Sequence, residues 1–293
     1  MKIKSLLMAT AILAANGAEA ARPNMVVEGV QMPAWVEHAS GARDALMPGA
    51  VLKNKDQIIT GPGARAQLRL ADGSVVKLGE NGSLALDELG QKKNNLKDVV
   101  TASLDVVNGA FRFTTDALYK FRGERDVKVR IETITAGIRG TDLWGKADAT
   151  RDIVCLIEGK ISVARDQESF TMDQPMSFYV APKGKPAEPV APVPQEQLDK
   201  WSLETEIAAG TGVARRDGKW RVYLADAGNQ GDALQLYDQL RTAGYAADIR
   251  PVSSGKGIDY RLRISHLASK EEAAVLAGKL KGPMGITEPK VSR

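Results

Sequence analysis

The chain has 293 residues, 43% hydrophobic and 26% charged, and its 40 basic and 36 acidic side chains leave a net charge of +4. That composition excludes disorder of the whole chain and a membrane bundle, and so small a net charge excludes a dedicated nucleic-acid surface. One cysteine and two histidines exclude an internal disulfide, and Cys155 with His38 and His266 cannot close a conventional zinc site, so no metal or cofactor is expected.

The first twenty residues have the three parts of an export signal. Lys2 and Lys4 are the basic start, residues 6–15 are an apolar run too short to span a bilayer, and Ala18-Glu19-Ala20 is an A-x-A cleavage site. A buried N-terminal helix is the competing reading. Cleavage predicts a mature chain beginning at Ala21 with a net charge of +3 and no later run of 18 apolar residues to re-anchor it.

Residues 21–181 read as strands. Asn108-Gly109 predicts a tight hairpin that pairs Val106 with Phe111 and Leu104 with Phe113, and sets Asp105 opposite Arg112 on the other face. Glu158-Gly159 predicts a second, pairing Leu156 with Ile161 and Val154 with Val163. A third, around Asp72-Gly73-Ser74 with a three-residue loop, places Leu68, Leu70, Val76 and Leu78 on one face. Residues 153–157 are apolar on both sides, as in the middle of a two-layer structure, which makes Cys155 an inert buried thiol rather than a nucleophile. The one helical candidate is 115–121. The fold class expected here is an all-β antiparallel sandwich or roll.

Two stretches of this region resemble the FecR family. The run from Val51, VLKNKDQIITGPGARAQLRLADGSVVKLGENGSLAL, follows that family's L-x-x-G/K-D-x-I-x-T-G segment and D-G-S turn. IETITAGIRGTDLWG, residues 131–145, follows its T-P-x-A-x-x-G-I-R-G-T hallmark, with Ile134 in place of the usual proline, and residues 152–164 follow its next strand pair. The resemblance covers about residues 35–180. Gly137-Ile138-Arg139-Gly140-Thr141 lacks the lysine of a phosphate loop and reads as a bulged strand, with Arg139 paired to Asp142. FecR-type domains also occur in regulators of sigma factors that carry a cytoplasmic segment and a membrane helix; the resemblance is not expected to extend to that control.

Five of thirteen prolines, Pro182, Pro186, Pro189, Pro192 and Pro194, follow. They predict a semi-rigid spacer, a proline-rich linker with a short helix over 182–216, before a second domain at 217–293. That domain holds a 40-residue repeat: Trp220-Arg221-Val222 recurs as Tyr260-Arg261-Leu262, Ala233 as Ala273, Leu236 as Leu276 and Leu240 as Leu280. Each copy is an alternating strand and an amphipathic helix, with Asn229 and Ser269 at the N-caps and Glu272 completing a capping box. The helices are expected over 230–243 and 270–280, and further strands over 247–251 and 286–291. The architecture predicted is α+β, a βαββαβ four-stranded sheet with helices on one face.

The other face is then open. Alternation turns Trp220, Val222 and Leu224, with Tyr260, Leu262 and Ile264, toward the helices. Arg221, Tyr223, Arg261, Arg263 and Ser265 face outward, a set suited to a polar polymer bearing carboxylates or sugar rings. Trp220–Tyr245 and Tyr260–Leu280 resemble the SPOR family in spacing, across about residues 219–291. Tyr223 stands where that family has glutamine, Ala225 and Ser265 where it has glycine, and Ala227 and Leu267 where it has phenylalanine.

The resemblance implies binding of peptidoglycan, as glycan strands denuded of stem peptides, through these five residues, and links the protein to the cell envelope and cell division. The chain is therefore expected to be a periplasmic, non-catalytic protein. Its FecR-like domain would meet an unidentified envelope protein or ligand, and it would have no nucleic-acid partner and no membrane span after cleavage. Two alternatives stand: an RNA-binding-like sheet, which would stack bases on paired aromatics where this face offers Tyr223 alone, and an envelope sensor related to FecR regulators. A wall hydrolase would need a framed carboxylate pair or a metal, and no motif supplies one.

Overall fold

The computed structural model describes residues 24–94, 97–117, 124–255 and 257–293. The export signal expected over 1–20 lies outside them. Of the helix expected over 115–121, residues 115–117 are not helical and the remainder lies outside the described residues.

Alternating apolar side chains draw the N-terminal part into two facing sheets. Strands β1 (Met25–Gln31), β2 (Ala34–Glu37), β3 (Arg43–Ala45), β4 (Val51–Leu52) and β5 (Gln57–Thr60) open the chain. β6 (Arg65–Leu70) and β7 (Val75–Leu78) form the Asp72-Gly73 hairpin and bury Leu68, Leu70, Val76 and Leu78 together, as expected. Two long strands follow, β8 (Ser83–Asn94) and β9 (Lys97–Thr114), then β10 (Glu124–Ile131), β11 (Ile134–Ile138), β12 (Asp142–Ala147) and β13 (Arg151–Glu158). β14 (Ile161–Arg165), β15 (Glu168–Met172), β16 (Ser177–Pro182) and β17 (Ala191–Pro192) complete this part. One sheet runs β1–β6–β7–β9–β12–β13–β16–β17. The other runs β3–β2–β5–β8–β9–β10–β11–β14–β15. Pairing in both is antiparallel except between β9 and β10. Phe111, Phe113, Leu143 and Leu156 from the first sheet meet Leu84, Leu104, Val129 and Val163 from the second in one buried core.

Strand β9 belongs to both sheets. Residues up to Asn108 pair with β8, and Gly109 to Thr114 pair with β12. The hairpin expected at Asn108-Gly109 is therefore a corner, where the chain passes from one layer to the other. Gly109 has φ +88°, and a Cβ there would stand 2.7 Å from the Cα of Gly82. Glu158-Gly159 is a second corner: β13 pairs with β12 and β16, and β14 with β11 and β15. Gly159, at φ +94°, lies against the Gly140 carbonyl. A left-handed glycine serves a tight turn and a corner equally, so local chemistry cannot separate them. The predicted cross-strand partners change accordingly. Asp105 pairs with Arg130, and Arg112 forms a two-point contact with Asp142 at 2.9 and 2.7 Å. Asp142 is thus taken, and Arg139 does not pair with it.

The proline-rich segment is not a spacer. Val193 is buried, and helix α1 (Gln195–Thr205) lies on the outer face of β12, β13 and β16. There Trp201 stacks on Trp144 with ring centroids 4.6 Å apart and planes 7° from parallel. Lys77 with Glu206 (2.6 Å) and Lys146 with Glu204 (2.7 Å) fasten the end of the helix. This covering layer explains why β13 is apolar on both sides: Val154 and Leu156 face the sandwich core, Ile153 and Cys155 face α1. Burial, joined by the charge of Asp142, pushes the Cys155 thiol up to about 12, so it holds its proton and is inert.

Strand β18 (Val213–Arg215) then adds to β1 and also touches the last domain. That domain is β19 (Trp220–Ala227), α2 (Gln230–Thr242), β20 (Ala247–Ser254), β21 (Gly257–Leu267), α3 (Lys270–Leu280) and β22 (Lys290–Ser292). Its antiparallel order is β20–β21–β19–β22, the expected βαββαβ sheet. Val222, Leu224, Leu262 and Ile264 are buried against Ala233, Leu240, Ala273 and Leu276 of the helices.

Trp201→Ala should lower the free energy of unfolding by roughly 2–4 kcal/mol, since it removes a large half-buried ring and uncovers Trp144. Urea unfolding followed by circular dichroism measures this. A change under about 0.5 kcal/mol would mean that α1 lies outside the cooperative core.

Candidate binding face of the C-terminal sheet

The period of two that buries Val222 and Ile264 turns their neighbours to the opposite face. Register then gathers them. Asp248, Arg263, Tyr223 and Lys290 lie in one row across all four strands. Arg250 pairs with Arg261 in the next row, with Asp226 on the far side of Arg261, and Arg221 lies opposite Ser292. All five residues expected to face outward, Arg221, Tyr223, Arg261, Arg263 and Ser265, are half-exposed on the strand face away from the helices.

The arginines are held in place. Arg261 grips Asp226 through two nitrogens, at 2.7 and 3.1 Å, and its guanidinium lies 5.2 Å from the centre of the Tyr223 ring. Asp248 accepts from Arg263 Nε at 2.9 Å and from the Ser265 hydroxyl at 3.2 Å, with Arg250 Nε 3.3 Å away. Hydrogen bonding by Arg261 holds the Asp226 carboxyl below its usual range. Hydrogen bonding to Arg221, with Ser292 and Arg263 assisting against partial burial, lowers the Tyr223 phenol. Beside this lattice lies a hollow of about 240 Å³ lined by Trp220, Arg221, Arg250, Arg263, Ser265 and His266. The face thus offers guanidinium donors left over after the aspartates are satisfied, carboxylate acceptors, a hydroxyl and the Tyr223 ring, with Trp220 at the margin of the hollow, which is the chemistry of a hydroxyl-rich polymer site.

Four members of the lattice were not singled out from the sequence. Asp248 and Arg250 alternate along a strand that was predicted, so the period of two could have found them. Asp226 and Lys290 could not be found without the register of β19 with β21 and β22. Among the described residues no group of His, Cys, Asp or Glu is arranged to hold a metal, and no helix is long and apolar enough to cross a membrane.

The helix starts are capped as expected in part. Asn229 accepts from the Asp232 amide at 2.9 Å and Ser269 from the Glu272 amide at 3.2 Å. Glu272 does not close a capping box. Its carboxylate turns away and accepts from the backbone amides of Gly210, Thr211, Gly212 and Val213 at 2.7, 3.0, 2.6 and 3.0 Å. These amides lead into β18. Burial pushes the Glu272 carboxyl up, but the four amides outweigh it and leave it below its ordinary value.

The geometry defines a two-part, β-rich protein whose last sheet exposes an arginine-lined face. The family described as SPOR domain matches residues 217–289, and that described as FecR protein matches residues 56–162. The chain carries a FecR domain followed by a SPOR domain. Two crystal structures of a "putative anti-sigma factor" from Parabacteroides distasonis ATCC 8503 show limited structural similarity to the chain. One is 13% identical with a TM-score of 0.38, covering 69% of this chain and 96% of that one; the other is 15% identical with a TM-score of 0.39, covering 76% and 89%. No curated protein matches the chain.

Glu272→Gln should cost about 1–3 kcal/mol at pH 7, the worth of charge-assisted hydrogen bonds to a buried carboxylate. The four amides hold the folded carboxyl below its ordinary range, so its stabilisation is full above that range and is lost as pH falls through the lowered folded value. Urea midpoints of the two proteins should therefore converge as the pH is lowered below the ordinary carboxylate range; a gap independent of pH would contradict this role.

Proposed function

We propose that this is an exported, non-catalytic protein of the periplasm that binds the glycan strands of peptidoglycan through the open face of its SPOR domain. In this reading residues 1–20 are the export signal, 21–181 the FecR-like unit, 182–216 the junction and 217–293 the wall-binding unit. The observation that carries it is the lattice itself: Arg221, Tyr223, Arg261, Arg263 and Ser265 stand together on one uncovered sheet face within the SPOR match. Denuded glycan presents hydroxyls, amide groups and a lactyl carboxylate, which suit guanidinium donors and clamped aspartates. Asp226 is paired with Arg261, which holds its carboxyl below the usual range, the opposite of the raised carboxyl that a glycoside hydrolase needs as its acid; Asp248 is paired with Arg263. The FecR domain supports a signalling or interaction role in the same compartment.

Sedimentation with purified sacculi tests this. Binding should rise when the sacculi are pretreated with an amidase that removes stem peptides. Arg221→Ala with Arg263→Ala should weaken it by about tenfold or more. Equal failure to sediment with treated and untreated sacculi would remove the glycan reading.

A further inference from the structure

The outer face of the second sheet of the FecR domain carries a site of its own. Val127, Ile138, Ile161 and Met172 are buried inward, so their neighbours face solvent. Register lines up Lys128, Gly137, Ser162 and Thr171 in one row across β10, β11, β14 and β15. Gly137 has no side chain, and Ser162 and Thr171 are short, so this row is a trough. One step along, extending the Val127–Ile138–Ile161–Met172 register places Asp126, Arg139, Lys160 and Asp173 in a second row, standing over the trough. Together they bound a hollow of about 540 Å³ that Lys128, Arg139 and Lys160 line with positive charge.

Arg125 is turned inward and pairs with buried Asp72, but the three outward cations are not consumed by the fold. Arg139 is exposed and makes no ion pair among the described residues. Lys160 reaches Asp173 at 3.7 Å and Lys128 reaches Asp126 at 3.8 Å, loose surface contacts with both partners of each pair more than half exposed. The order of signs along the upper row is negative, positive, positive, negative. A uniform polyanion lying along it would meet a carboxylate at each end. A short segment with two neighbouring carboxylates between neutral or basic residues matches it charge for charge. The trough beneath offers hydroxyls that both donate to and accept from a peptide backbone.

We propose that this hollow is the docking site of the FecR domain for an extended peptide segment of a partner protein, one bearing two closely spaced acidic residues with basic flanks. The proposal rests on the FecR domain being an interaction scaffold and is independent of glycan binding by the SPOR sheet. It makes Arg139, within the Gly137–Thr141 hallmark, a recognition residue at the corner that joins the two sheets.

Fluorescence anisotropy of the full chain tests it, with a labelled peptide holding two glutamates between lysine flanks, its glutamine counterpart, and inorganic polyphosphate as competitor. The glutamate peptide should bind in low salt and the glutamine peptide at least about tenfold more weakly. Arg139→Glu with Lys160→Glu should abolish binding, Arg139→Gln with Lys160→Gln should weaken it in part, and Arg221→Ala with Arg263→Ala should leave it unchanged. Urea unfolding midpoints of the first two variants should equal wild type, which shows that they are folded. Equal affinity for both peptides, or loss of peptide binding in the Arg221 and Arg263 variant, would overturn the site. Displacement by polyphosphate at lower concentration than by unlabelled peptide would overturn the peptide assignment.

Discussion

The carboxylate of Glu272 is the constraint on which the joining of the two domains depends. It sits at the first turn of α3, where the partial positive charge of a helix start favours an anion, and its four acceptor contacts organise residues 210–213. The strand that follows, β18, pairs with β1 of the N-terminal sheets and meets β21 of the SPOR domain at Leu267. A second seam runs through α2: the Trp35 indole donates to the Thr242 carbonyl at 3.1 Å and Arg241 pairs with Asp44 at 3.0 Å. The two domains meet through backbone pairing and helix ends, and both seams lie off the arginine face.

That arrangement gives the face its character. A row of free arginines would be a nonspecific, salt-sensitive patch. Here two aspartates each take part of an arginine's hydrogen-bonding capacity and fix its plane, leaving directed donors rather than mobile charge. Tyr223 shares in this order through Arg261 above its ring and Arg221 at its hydroxyl. Its side chain is thereby a fixed wall of the site. The FecR hollow is built on the other principle, with Lys128 and Lys160 only loosely paired and Arg139 exposed, and suits a ligand that brings the compensating charge itself.

Much of this was legible in the sequence because it follows from periodicity. The 40-residue repeat, the N-caps Asn229 and Ser269 and the alternation Arg221, Val222, Tyr223, Leu224 set the βαββαβ fold and its outward residues without any long-range information. What was not legible depended on contacts distant in the chain. Asn108-Gly109 and Glu158-Gly159 carry the local signature of tight turns, and only the packing of β9, β13 and β14 between layers makes them corners. The prolines at 182–194 looked like a spacer because the stacking of Trp201 on Trp144 has no local trace. Glu272 had the spacing of a capping box, yet four amides some 60 residues earlier compete for it more strongly than one amide beside it.

The central claim is that the uncovered sheet of the SPOR domain grips wall glycan. Its most direct test is an amide NMR titration of the full chain with a soluble glycan oligosaccharide free of stem peptides. The account predicts shifts concentrated on β19 and β21 around Arg221, Tyr223 and Arg263, with α2, α3 and the FecR sheets unmoved. Shifts confined to the helices or to the FecR domain, or none at saturating oligosaccharide, would contradict it.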